Sequence, residues 1–257
     1  INWLTDKFSE IPKIFLEIGT EDYNESNTKF LLINKNWDGY LIEADNEAVK
    51  KIKKQRIYWK HNLKIENQFI NKDNINNIIK KMGIPKNIGL MSIDIDSVDY
   101  WVLKELKVLS PSIIICEFNS IFGDLFKISI PYQKNFIRND AHYSNLFFGA
   151  SIKAMISMLK NKGYKFLGTS STGVNAFFVK NKHLLNFENK IKNFNIYPAK
   201  VREGLNIRGK LTHENIFNSL KNIYEMEVFD LDDKKILKLK DYNNLYSENW
   251  RKIIDES

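Results

Sequence analysis

A chain of 257 residues, 43% of them hydrophobic, has enough apolar material for one large α/β domain with a helical appendage. Its single cysteine, Cys116, excludes an intrachain disulfide and a thiolate zinc cluster, and its place in the apolar run SIIICEF marks it as inert core. The formal charge of +8 is scattered without an arginine stripe and reads as a lysine-rich solvated surface, or else as a positive field for an acidic substrate, nucleic acid or anionic membrane; no apolar stretch approaches membrane-spanning length.

No secretory leader is legible, so the expectation is a cytoplasmic protein without membrane insertion. In chain order, residues 13–18 (KIFLEI) predict a first strand and Gly19 a turn. Asn27 or Thr28 can cap a helix running to about Asn34. A second strand is predicted over 39–43, a helix over 46–55 and a third strand over 56–63. Strand, helix, strand at this spacing is a βαβ unit. Residues 73–82 predict a helix ending at Gly83, and 89–93 a fourth strand apolar enough to be covered on both faces. Val102, Leu103, Leu106 and Leu109 recur at helical spacing over 98–109, before Pro111 breaks the pattern. A fifth strand is predicted over 113–118.

Residues 119–149 form a long irregular segment rich in Phe, Tyr and Asn, of the kind that lines or closes a site. A helix over 151–161 is followed by strands at 164–168 and 175–180, read as an antiparallel hairpin at one sheet edge. Helix candidates near 213–223 and 244–254 come last. The expected organisation is a domain over 1–182 and a helical extension over 183–257, packed on the core or mediating oligomerisation.

Polar residues recur where the predicted strands end: Glu17 and Gly19, Glu43 and Asp45, Asp94 and Asp96, Glu117 and Asn119. In an open α/β sheet such ends line the binding crevice, so these segments can converge. Gly19 lets the backbone approach a ligand, and Glu43 can accept hydrogen bonds from two ribose hydroxyls. The G-x-G-x-x-G phosphate cradle is missing; Thr20, Glu21, Asp22 and Tyr23 follow Gly19, and the acids repel phosphate. This disfavours NAD, FAD and ATP and favours a sulfonium nucleoside carrying an amino acid moiety.

Glu117 and Asn119, with Asp94 or Asp96, form a candidate oxygen set for Mg²⁺ or Mn²⁺, or else hydrogen-bond a substrate. His142 is a candidate general base, because imidazole titrates near neutrality, or an exposed loop histidine. Arg138 suits an acceptor carboxylate or phosphate, or solvent; Tyr132 and Phe136 suit an apolar wall, or simply anchor the loop. Asp99 suits the N-terminus of the following helix. His61, His183 and His213 are isolated, and Arg202, Arg208 and Lys210 read as a charged surface loop.

LEIGTEDYNESNT, GYLIEAD, LMSIDIDSVDYWVLKEL, IIICEFN and GVNAFFVK together resemble class I S-adenosylmethionine-dependent methyltransferases. The resemblance covers about residues 10–182 and is to FkbM-like enzymes and a related bacterial group associated with surface-glycan and small-molecule modification. It implies a Rossmann-like methyltransferase sheet, mostly parallel with a late antiparallel edge strand. It also implies that Glu17 and Gly19 belong to the cofactor loop, that Glu43 binds ribose and that Asp94 opens the acidic segment after the fourth strand. Two departures stand out: the first loop keeps one glycine, and Ser97 stands where the family pattern has Gly.

The candidate set is then Glu17, Gly19, Glu43, Asp94 and Ile95 for S-adenosylmethionine; Asp96, Asn119, Tyr132, Arg138 and Tyr143 for the acceptor; and His142, Asp94 and Glu117 for catalysis. Asp94, Glu117 and Asn119 are the metal candidates. The expected activity is methyl transfer to oxygen of a small-molecule or surface-glycan precursor. The alternatives are a noncatalytic methyltransferase-like binding or assembly protein, favoured by the reduced glycine loop, and a nucleic-acid methyltransferase. Against the last, the chain lacks an N/D-P-P-Y/W motif and a basic-aromatic RNA-binding module.

Overall fold

Short apolar runs that end in acids build the centre of the molecule. The computed structural model describes residues 1–8, 10–184, 196–201 and 203–255; Arg202 lies outside the described residues. After α1 (Asn2–Lys7), the chain runs through β1 (Ile14–Ile18), α2 (Lys29–Lys35), β2 (Asp38–Glu43), α3 (Asn46–Lys54), α4 (Arg56–Lys60) and β3 (Leu63–Asn67). It continues through α5 (Ile75–Lys81), β4 (Asn87–Ile93), α6 (Asp99–Glu105) and β5 (Ser110–Glu117). The long connection holds β6 (Ile128–Ser129) and α7 (Arg138–Ala141), followed by α8 (Ile152–Asn161), β7 (Tyr164–Thr169) and β8 (Asn175–Lys180). The C-terminal part contributes α9 (Ile216–Asn222), β9 (Glu227–Asp230), β10 (Lys235–Lys238) and α10 (Glu248–Asp255).

Seven strands form one sheet in the order β3-β2-β1-β4-β5-β8-β7. β1 to β5 are parallel, and β8 is antiparallel to both of its neighbours, which leaves β7 outermost. The fold is thus an α/β Rossmann-like sheet with a late antiparallel strand and a C-terminal extension. Strand order reverses between β1 and β4, the place where such sheets open a crevice.

Successive strand residues point to opposite faces, and both faces are covered. Leu16, Ile18, Met91, Ile93, Ile114 and Cys116 pack into one core. Phe15, Leu41, Leu90, Ile113 and Ile115 pack into the other. Tyr246 and Trp250 of the C-terminal part join the first core, so the extension shares apolar packing with the sheet. Among the described residues no helix is long and apolar enough to cross a membrane.

Three elements differ from expectation. The third strand is Leu63–Asn67, and residues 56–60 are helical. Leu63 and Ile65 supply the alternate buried positions, whereas Trp59 is 69% exposed beneath the Arg56 guanidinium. The sixth helix stops at Glu105, well before Pro111, because Asn76 caps it from α5: its amide donates to Glu105 O (3.0 Å) and accepts from Lys107 N (2.9 Å). Pro111 is instead the second residue of β5, ahead of Ile113, the first residue paired to β8, so its missing N–H costs no bond to β8. The extension is helical but also holds the β9–β10 hairpin, which pairs with β6 in a small second sheet.

Candidate active site

The first strand ends in a turn that only glycine can make. Gly19 has φ +77°, and a Cβ on it would stand 1.7 Å from the Asp94 carbonyl oxygen. The ends of β1 and β4 meet here, with Asp94 N donating to Ile18 O at 3.0 Å. Between Gly19 and α2 the loop holds no further glycine, and Glu21 and Tyr23 take left-handed φ of 46° and 63°. Glu43 holds this loop from the end of β2. Its Oε2 accepts from Thr20 N and Glu21 N, and its Oε1 from Asp45 N, each at 2.8 Å. One carboxylate thus fixes both strand-end loops.

Glu17 holds the far side of the same loop. Its oxygens accept from Asn27 N (2.9 Å), Ser26 Oγ (2.7 Å) and Thr28 Oγ1. Burial pushes its pKa up, against the pull of those hydrogen bonds. Thr28 therefore gives its hydroxyl to Glu17 rather than capping α2.

The turn after β4 carries three acids with different tasks. Asp99 is buried, and its carboxylate accepts from Ile95 N and Ser97 N, both at 3.1 Å. It pins the turn that displays Asp94 and Asp96, and burial pushes its pKa up to about 6. Asp96, with φ +52°, is the left-handed residue of that turn, so Ser97 needs no glycine freedom. Asp94 has its pKa pushed up to about 8, first by burial and then by the charges of Asp96 and Asp99. One of its oxygens lies within 4.8 Å of one of Glu117, whose own pKa is raised well above the usual range by burial and by Asp94. Two buried carboxyl groups this close repel each other when both are ionised, which favours the protonated forms.

Arg138, from the long connection, is the counter-charge. Its guanidinium binds Asp96 through Nη1 and Glu203 through Nη2 (2.8 Å), while Nε donates to Asn145 O. It lies 4.0 Å from the centre of the Phe148 ring. One oxygen each from Asp94, Asp96 and Glu117 lie within 4.8 Å of one another, a hard-oxygen set compatible with a divalent cation. Asn119, expected in that set, is spent elsewhere. It donates to Leu146 O (2.9 Å) and Phe148 O (3.0 Å) and accepts from Ile121 N (2.9 Å), so Asp96 takes its place as the third oxygen.

These strand ends open into one cleft of about 690 Å³. Glu17, Gly19, Glu43, Asp94, Ile95, Asp96, Glu117 and Arg138 all line it. Glu21, Glu25 and Glu203 join them, giving eight carboxyl groups against one guanidinium in a chain of net charge +8. The side-chain oxygens of Thr20 and Asn175 and Glu117 Oε2 are buried there with no partner among the described residues. Beside Glu43 lies an apolar slot of about 100 Å³ formed by Ile18, Ile42, Ala44, Phe69, Ile70 and Ile95.

Besides Asn119, three candidates do not line the cleft. His142 pairs Nδ1 with Ser144 Oγ at 2.7 Å and packs its ring 4.3 Å from that of Tyr143, and burial pushes its pKa down. Tyr143 is half-exposed beside it. Tyr132 donates its hydroxyl to Asp73 at 2.9 Å, with the Lys72 ammonium 3.9 Å above its ring. Conversely, sequence reasoning missed Thr20, Phe69, Asn175 and Glu203. The strand-end rule reaches Phe69 just past β3 and Asn175 at the start of β8, had it been extended to those strands. No local signal marks Glu203.

No family model and no curated protein matches the chain. Among solved structures it is similar to the methyltransferase domain of bacterial CtHen1, at 12% identity and a TM-score of 0.44 over 70% of this chain and 95% of that one. It is also similar to the N-terminal domain of EvdMO1 in the presence of SAH and D-fucose, at 10% identity and a TM-score of 0.44 over 70% of this chain and 79% of that one. A third likeness is to an S-adenosylmethionine-dependent methyltransferase from Clostridium acetobutylicum ATCC 824, at 10% identity and a TM-score of 0.40 over 70% and 89% of the two chains.

Proposed function

We propose that the cleft binds S-adenosylmethionine and serves methyl transfer to an oxygen of a small-molecule or surface-glycan precursor, as in the FkbM-like enzymes the sequence resembles. The observation that carries this reading is a strongly acidic cleft at the strand-order reversal, with no phosphate cradle. Eight carboxyl groups favour a sulfonium and an ammonium and disfavour polyphosphates. The apolar slot beside Glu43 suits a nucleoside base. Glu43 Oε1 accepts one backbone N–H and retains a lone pair for a ribose hydroxyl.

When bound, the cofactor supplies an electrophilic methyl group, whose bond to sulfur breaks as the bond to the acceptor oxygen forms. The chain's own residues then have two tasks. The loops fixed by Glu17, Glu43 and Asp99 hold the reactants in line. In its ionised form, the Asp94–Glu117 pair takes up the proton released by the acceptor hydroxyl. A second reading, favoured by the spacing of Asp94, Asp96 and Glu117, places Mg²⁺ or Mn²⁺ on these oxygens. There the ion would polarise the acceptor oxygen, and Asp96 would exchange Arg138 for it.

Calorimetric titration of the full chain with S-adenosylhomocysteine tests the cofactor assignment. Saturable binding is expected, and Glu43→Ala should weaken it by about tenfold or more, roughly 1.4 kcal/mol. A folded protein that takes up no S-adenosylhomocysteine would overturn the reading.

A further inference from the structure

A second cavity, of about 80 Å³, adjoins the acidic cleft and shares Glu117, Arg138, Val174 and Glu203 with it. Its outer walls come from the C-terminal part of the chain: Val201, then Ile216 and Ser219 of α9, then Ile254 of α10. That wall is tied to the loops at the strand ends. Ala199 N donates to Ser120 Oγ (2.8 Å), Lys200 N to Thr172 O (2.8 Å) and Leu205 N to Ser144 O (3.1 Å).

Size and charge limit what can enter. At about 10–15 Å³ for each water-sized centre, the volume holds roughly five to eight such atoms, the size of one ring. Phe118, Phe148 and Ile216 give it apolar walls. Arg138 already serves Asp96 and Glu203, so it has little charge left for a ligand anion. Lys200 lies against the Tyr197 ring, 5.9 Å from its centre. Glu117 Oε2 is buried without a partner among the described residues, and Glu117 lines both cavities. A hydroxyl can donate to that oxygen, whereas a carboxylate or phosphate there would meet Glu117, Glu203 and Glu214.

We propose that this cavity is the acceptor site, and that it takes a ring-sized, uncharged, hydroxyl-bearing group whose hydroxyl donates to Glu117. The assignment of this cavity to the acceptor rests on the cofactor reading above. On this view the C-terminal extension determines substrate class, and the acceptor is not phosphorylated at the reacting ring.

Ligand-observed NMR on the full chain, with and without S-adenosylhomocysteine, tests this. The uncharged probes are methyl β-D-glucopyranoside and phenol; their anionic counterparts are glucose 6-phosphate and 4-hydroxybenzoate. At least one uncharged probe is expected to bind about tenfold or more tightly than its anionic counterpart. Ser219→Trp, from within the cavity, and Val201→Trp, at its rim, should each abolish that binding while leaving the affinity for S-adenosylhomocysteine within about twofold. Equal or tighter binding of the anionic probes, retention of the uncharged probe in both variants, or no binding of either uncharged probe would overturn the proposal. Failure to bind S-adenosylhomocysteine, with probe selectivity intact, would strike the cofactor reading and leave the cavity's preference standing.

Discussion

Gly19 shows how one missing methyl group sets the geometry of a site. A side chain there would need a left-handed backbone, at about 1–2 kcal/mol, and would also press into the Asp94 carbonyl. Gly19→Ala should therefore cost at least about 2 kcal/mol of stability in urea unfolding, through separation of the β1 and β4 ends. An unchanged unfolding midpoint would show that the two ends are not packed as described. At this scale the sequence displayed the acids but not their division of labour. Glu17, Glu43 and Asp99 turn their oxygens toward backbone and hydroxyl donors of nearby loops, whereas Asp94 and Glu117 face each other. Which donors lie within 3 Å of a carboxylate depends on how separate loops fold together, and strand-end spacing carries no record of that. The same limit explains Asn119 and His142. Each has the right chemistry for the assigned role, and each is turned to other partners by the 142–148 segment.

Elements were legible where burial imposed a pattern. β1, β2, β4 and β5 are apolar on both faces and end in acids, and the β7–β8 hairpin brackets a loop of small polar residues. The pattern failed where a neighbour decides the outcome. The length of α6 depends on an Asn from α5, and β9 and β10 are four-residue strands, of which β9 pairs with the distant residues of β6. Packing of the extension can be tested through Trp250. It is 2% exposed, with ring centres 6.5 Å from Phe118 and 6.4 Å from Tyr246. Trp250→Ala should destabilise the protein by about 3–5 kcal/mol in thermal unfolding, because it empties a core shared with the sheet. A loss well below 1 kcal/mol would mean that α10 contributes no core.

For the whole molecule, the buried acids make stability depend on pH in an unusual direction. Asp99 holds its proton up to about 6 in the folded chain, against 3.8 when unfolded. Below 3.8 both states are protonated and nothing is lost. Between the two values only the unfolded chain ionises, so stability falls as pH rises; above about 6 both are ionised and the loss is complete. The gap of roughly two pH units corresponds to about 3 kcal/mol. Urea unfolding across this range should show Asp99→Asn with a flatter decline than the parent chain. Parallel curves would remove Asp99 as the source.

The pairing of β6 with β9 has a consequence for how the molecule is born. Residues 128–129 lie in the middle of the chain and wait for 227–230 before their edge is matched. The ribosome delivers every strand of the large sheet before that match exists. A nascent chain therefore completes the floor of the second cavity first and its outer wall last, and a transcript cut short after Lys180 would yield a floor open to bulk water.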